Sequence, residues 1–197
     1  MPSISPQPTW MDHYELNFWL WACLNDAEAY LEASRILHST IRGYRTLDPR
    51  TFQEQRISAQ HRMELEKYHF VTALGKLLRT LKRAQHLFPT IQPAYSKANH
   101  LINEGKLLRD MIEHADDYQQ GGGNNPDKFV REAVGVATDL PGDKPGTADA
   151  TSTIIDKNGH WLGGRFNVER AIKEIRAIQD EANKIPPPVP ASRHRPP

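Results

Sequence analysis

The sequence predicts an all-α fold: an antiparallel bundle of about four helices, with a small β-hairpin before the last one. Three observations carry this. Long proline-free stretches between residues 12 and 120 repeat apolar side chains at three- and four-residue steps, the spacing of one helix face. Asn158-Gly159 lies between Thr153-Ile154-Ile155 and His160-Trp161-Leu162, a two-residue hairpin signal. Of the 15 prolines, three fall in residues 1–8 and six in residues 186–197, so both ends read as extended tails.

The first helix is expected from about Asp12 to Arg42, with its stripe on Leu16, Leu20, Cys23, Ala27, Tyr30, Ser34, Leu37 and Ile41, and Gly43 as its stop. A loop through Asp48 and Pro49 leads to a second helix from about Ser58 to Phe88. Its stripe is Met63, Phe70, Leu74, Leu77, Leu81, Ala84 and Phe88; Lys67 breaks the pattern and Pro89 ends the helix. Two such helices joined by one loop form an antiparallel hairpin. A third helix runs from Pro93 to Gln120, stopped by Gly121-Gly122-Gly123, on a small-residue stripe of Ala94, Ala98, Leu101, Gly105, Leu108, Ile112 and Ala115. Small side chains let backbones approach closely, which places this helix centrally. Residues 121–150 read as a long loop with a helical turn near Phe129 to Val134. Gly163-Gly164 lets the chain leave the hairpin, and Asn167 caps a last helix carrying Val168, Ile172, Ile175, Ile178, Ala182 and Ile185. The domain organisation is a tail over 1–11, a bundle over 12–120, a loop over 121–150, hairpin and packed helix over 151–185, and a Pro-rich tail over 186–197. Pro187 and Pro190 fit Pro-x-x-Pro, but with no partner in view a disordered tail is the better reading.

At 197 residues, with 38% hydrophobic and 25% charged residues, the chain holds one domain with a sizeable core. The longest apolar run, Phe18 to Leu24, falls far short of the roughly 20 residues of a membrane span. No basic, signal-like start is present, and Cys23 is the one cysteine. An internal disulfide and a multi-thiolate metal site are excluded, and a cytoplasmic, membrane-free protein is expected. A formal net charge of +1 means that any affinity for nucleic acid must come from a local patch.

The segment richest in chemistry is Leu107 to Tyr118. On an ideal helix Asp110 and His114 are adjacent, so the carboxylate can orient or charge the imidazole, and Arg109 and Glu113 form a second such pair. Arg109 and His114 lie about 140° apart around the axis and flank a face. Beside His114 runs a mixed stripe of His100, Asn103, Leu107, Met111 and Tyr118, the composition of a cleft or a wet dimer interface. The same residues also fit a surface ion pair and a hydrogen-bonded bundle histidine. A di-iron centre needs two Glu-x-x-His pairs; only Glu66-Lys67-Tyr68-His69 has that form, so neither a metal nor another cofactor is expected.

Arg109-Asp110-x-x-x-His114 late in a helix, preceded by Leu107-Leu108 and by two long helices, resembles the Arg-x4-His signature of HEPN domains over about Asp12 to Gln120. The resemblance implies an all-α homodimer whose two motifs face one another in a cleft. It also implies a metal-independent endoribonuclease of toxin or anti-phage type, with a possible antitoxin or inhibitor protein as partner. In that scheme His114 acts as general base or acid on the ribose 2′-hydroxyl and the leaving oxygen, and Arg109 holds the scissile phosphate. Asp110 occupies a polar position often filled by Asn, and its charge beside a phosphate opposes strong catalysis. Lys76, Arg79 and Arg83 share a face of the second helix with Lys82 beside them and can contact RNA phosphates; a solvated face near a helix C-terminus looks the same. Trp10, Tyr14, Phe18, Trp19 and Trp21 can stack on bases or serve as core or dimer contacts. The alternative function is a non-catalytic helical module that binds a nucleotide, RNA or a protein.

Overall fold

The computed structural model describes residues 7–132, 147–149 and 151–187. Two long helices, α1 (Trp10–Arg42) and α2 (Pro49–Leu87), are joined by a 3-10 turn at Gly43–Thr46. They run antiparallel: Tyr44 meets Phe52 near the turn, Asp26 faces Glu66 and His69 midway, and Arg83 pairs with Asp12 and Glu15 at the far end. Thr9 opens α1 with a capping box closed by Asp12. The loop expected at Asp48-Pro49 is instead the start of α2. The Asp48 carboxylate accepts the N–H groups of Arg50 and Thr51, and Pro49 occupies the first turn, so α2 begins nine residues before Ser58.

The third helix is broken into pieces. After a 3-10 turn at Pro89–Ile91 come α3 (Gln92–Lys97), α4 (Asn99–Glu113) and α5 (Ala115–Gln119), with non-helical residues at Ala98 and His114. The small-residue stripe holds over Ala98, Leu101, Gly105 and Leu108, all buried, and α4 packs against α2 and the last helix as expected of a central element. At Gly105 a Cβ would stand 3.1 Å from the Phe166 ring and 3.4 Å from Leu74.

Beyond α5, a 3-10 turn at Pro126–Lys128 precedes a two-stranded antiparallel ribbon of β1 (Val130–Glu132) and β2 (Thr147–Asp149), where a helical turn near Phe129 was expected; Val134 lies outside the described residues. The hairpin forms from β3 (Thr153–Asp156) and β4 (Gly159–Leu162). Asp156 pairs with Gly159, so the turn is Lys157-Asn158 and Gly159, at φ +122°, is the first residue of β4. Gly163 and Gly164, both at positive φ, do not release the chain. They turn it into β5 (Phe166–Asn167), which adds a third strand beside β4. Asn167 caps α6 (Val168–Ala182) by accepting the Arg170 N–H at 2.8 Å.

One core joins these parts: Leu16, Leu20 and Tyr30 of α1, Phe70, Leu74, Leu77 and Leu81 of α2, Leu101 and Leu108 of α4, Phe166, and Ile175 and Ile178 of α6. Lys67, which breaks the apolar pattern, is buried and satisfied: its ammonium donates to the Thr151 carbonyl at 2.9 Å and pairs with Glu64, tying α2 to the segment before β3. Ile41, the last member of the α1 stripe, is exposed. Among the described residues, no helix is long and apolar enough to cross a membrane.

Candidate functional site: a basic groove between α2 and α4

Position 75 falls mid-helix, where glycine costs about 1 kcal/mol relative to alanine. Here it has a use. A Cβ on Gly75 would stand 2.7 Å from Cδ and 3.2 Å from Cγ of Arg109, so the bare backbone of α2 is the bed on which the Arg109 stem lies. The side chain is mostly covered, and its Nε stands 3.4 Å from the Glu113 carboxylate one turn on.

Arg109 lines a groove of about 350 Å³ between α2 and α4, bordered by Tyr95 of α3. Its charged walls are Arg79 and Lys82 of α2 and Lys106 and Arg109 of α4; its apolar surface comes from Leu78, Tyr95 and Ile102, and Gln85 adds an amide. Each helix supplies two cations three residues apart, the spacing that sets side chains on one helical face. No ion pair links Arg79, Lys82 or Lys106 to a described carboxylate, so the groove carries excess positive charge over an apolar floor.

The other expected site residues disperse. Arg83 turns away from the groove to pair with Glu15 at 2.5 Å and Asp12 at 3.1 Å; this contact, after the Thr9 hydroxyl, holds the Asp12 carboxyl below its ordinary range. Lys76 is exposed and does not line the groove. Of the cations read from sequence on α2, Arg79 and Lys82 enter and Lys76 and Arg83 do not. Lys106 went unread, although Lys106-x-x-Arg109 repeats the Arg79-x-x-Lys82 spacing.

His114 ends α4. At φ −123° and ψ 33° it has left the helix, its N–H still donates to the Asp110 carbonyl, and its exposed ring lies 3.8 Å from Asp117. It does not line the groove that holds Arg109. The expected Asp110–His114 side-chain pair is absent as well: the Asp110 carboxylate accepts the Tyr118 hydroxyl at 2.8 Å.

The mixed stripe is not a cleft wall. Met111 and Tyr118 are buried with Phe129 in a small second core, Gly123 lies against the Tyr118 ring, and the Tyr118 oxygen accepts the Asn125 N–H. Segment 121–129 thus folds back over the face that sequence alone left open. His100 is buried too: its Nε2 faces the Asn167 backbone, 2.9 Å from the N–H and 3.2 Å from the carbonyl oxygen. Burial first, and the Arg170 guanidinium second, hold this imidazole below its ordinary value, which keeps it neutral. Asn103 alone of that set is exposed, beside a shallow depression it shares with Asp110 and Asn125.

A histidine–carboxylate contact that sequence reading missed lies elsewhere. His160 Nδ1 is 2.5 Å from Glu169, whose other oxygen accepts the His160 N–H at 2.9 Å. The carboxylate is consumed in clasping the hairpin to the first turn of α6, with Gly159 passing beneath it. Tyr30, edge-on to His160, is pushed up to about 12 by burial, and burial likewise raises the Cys23 thiol, so neither is an activated nucleophile. Among the described residues no group of three or more His, Cys, Asp or Glu is placed to hold a metal ion. Comparison with protein-family models, with curated proteins and with solved structures finds no match.

Proposed function

We propose that this chain is a helical binding module whose groove takes a nucleotide, free or as a unit of RNA. The observation that supports the reading is the set Arg79, Lys82, Lys106 and Arg109, left without carboxylate partners apart from Glu113 around an apolar surface. Ligand sites for small molecules occupy about 300–1,000 Å³, and this groove, at about 350 Å³, matches one nucleotide. Phosphate oxygens accept from the guanidinium and ammonium groups, for which planar Arg109 offers a two-pronged donor. The base rests on Tyr95, Leu78 and Ile102, where stacking and burial do not depend on its identity.

Arg109 keeps the phosphate-holding role that the HEPN resemblance gives it, while His114 stands outside the groove that one chain builds whole. The nuclease scheme needs an imidazole at the scissile phosphate and so requires His114 to come from a second copy; binding without cleavage asks for nothing further. An antitoxin-like inhibitor acts, in this reading, by filling the groove with carboxylates.

The test is a titration of the full chain with a nucleoside triphosphate and with a short single-stranded RNA, followed by calorimetry at two salt concentrations. Lys82→Glu and Lys106→Glu should abolish binding to both. Each Lys or Arg removed should lower the salt slope by about 1 for every phosphate that it neutralises. His114→Ala should bind as wild type, and RNA incubated in EDTA should stay intact. Binding indifferent to Lys82→Glu sinks the groove reading, and EDTA-resistant cleavage that depends on His114 replaces it with the nuclease.

A further inference from the structure

The outward face of α1 changes character along its length. From Trp10 to Trp21 it presents Trp10, Met11, Tyr14, Phe18 and Trp21, exposed by 52, 53, 48, 38 and 58%. On the same face the next turns carry Asn25, Glu28, Glu32 and Arg35, as a solvated helix should. The core stripe of Leu16, Leu20 and Cys23 lies on the opposite side, and of this aromatic group only Trp19 packs against the core. The exposed rings form a ladder: Trp10 and Tyr14 stack at 5.3 Å and 13°, and Tyr14 and Phe18 at 5.9 Å and 17°. Held by one another, these rings lose little side-chain entropy on being covered.

We infer that this ladder is a two-fold interface between two copies of the chain. Charge decides among occupants. From Trp10 to Ser34, α1 contains no Lys or Arg, and the carboxylates beside the ladder, Asp12 and Glu15, turn toward α2 and Arg83. A nucleic acid needs cations to follow its phosphates, and an interfacial membrane helix carries Lys and Arg on its polar face. Neither complement exists here. An isologous contact instead pairs residue i of one copy with j of the other and j with i, so a patch of uncharged rings meets a second copy of itself with no complementary charge required.

Area agrees. At about 100 Å² for each half-exposed large side chain, two ladders in contact bury on the order of 1,000 Å², the lower bound for a specific interface and the size of a weak, reversible one. The ladder is symmetric about the midpoint of Tyr14 and Phe18. Antiparallel packing therefore sets Tyr14 against Phe18 of the other copy and Trp21 against Trp10 and Met11 at the two ends. This surface is separate from the α2–α4 groove and does not rest on the nucleotide reading.

Sedimentation velocity of the full chain from about 1 to 100 µM should show a monomer–dimer equilibrium. The double variant Phe18→Glu/Trp21→Glu, with unchanged circular dichroism because both positions are exposed, should weaken it by about 100-fold or more. Tyr14→Cys/Phe18→Cys should yield a covalent dimer on mild oxidation, whereas Glu32→Cys, on the polar half of the face, should not; Cys23 is buried and does not compete. A wild type that stays monomeric across that range, or a dimer that survives the double glutamate variant, overturns the inference. So does a monomeric chain that binds phosphatidylcholine or phosphatidylserine vesicles through the ladder.

Discussion

The two sides of α4 ended differently from their reading as sequence, in which only the mixed stripe had the composition of a cleft. Toward α2, Arg109 lies across Gly75 and joins Arg79, Lys82 and Lys106 in an open basic groove. On the other side, Met111 and Tyr118 are closed under segment 121–129, and the Tyr118 hydroxyl donates to half-buried Asp110. A stripe that mixes polar and apolar residues is a cleft only when nothing folds back on it. Here the covering segment follows directly in the chain, and its cost in loop closure is small because the loop is short.

The largest effect that separates the sides belongs to Met111. Met111→Ala removes a fully buried side chain and should cost about 2–4 kcal/mol in urea unfolding, with nucleotide affinity per folded molecule unchanged. Arg109→Ala should lower affinity, at a smaller cost in unfolding that comes from its covered stem. A smaller contrast lies in two helix glycines. Gly105→Ala sets a methyl 3.1 Å from the ring of Phe166 and in ordinary contact with Leu74, both fully buried, and should cost about 1 kcal/mol as the ring shifts to admit it. Gly75→Ala meets the flexible Arg109 stem, so it should leave stability near wild type while displacing Arg109 and weakening binding. If Gly75→Ala binds normally, the bed under Arg109 plays no part in the groove.

Tyr118→Phe removes the hydroxyl shared by Asp110 and Asn125 and should cost about 0.5–1.5 kcal/mol; amide exchange should rise at Asn125, not in α2. The subtlest prediction concerns His100. Its folded-state value lies below the 6.5 of a free histidine, so below about pH 6.5 the unfolded chain takes up a proton that the folded chain refuses. The stability difference between wild type and His100→Gln should therefore shrink as pH falls from 7 toward about 5.5. A difference that is flat or that grows on acidification contradicts a buried neutral imidazole.

Much of the architecture was legible because it follows from repetition. The stripes through Leu16 to Ser34 and Phe70 to Ala84 each repeat a spacing that only a helix satisfies, and Asn167 supplied the oxygen its cap needs. The start of α2 was legible too, since Asp48 before Pro49 is a cap followed by a first-turn proline; reading the pair as a loop gave proline too much weight as a breaker. The break at His114 left no such trace. Neither glycine nor proline marks it, and on an unbroken helix Met111 and Tyr118 would share the same face, so the stripe reads the same with or without the break.

The amino-acid order by itself determined that the chain is mainly helical, where the hairpin lies and which stripes of α1, α2 and α6 turn inward, because these depend on side chains a few residues apart. Tertiary structure alone decided that Arg109 and Lys106 meet Arg79 and Lys82, that Arg83 is drawn off by Asp12 and Glu15, and that His114 stands apart. Each of those outcomes depends on how closely two distant backbones approach. A missing Cβ at Gly75 and a returning loop over Tyr118 set that distance, and neither leaves a period in the sequence to read.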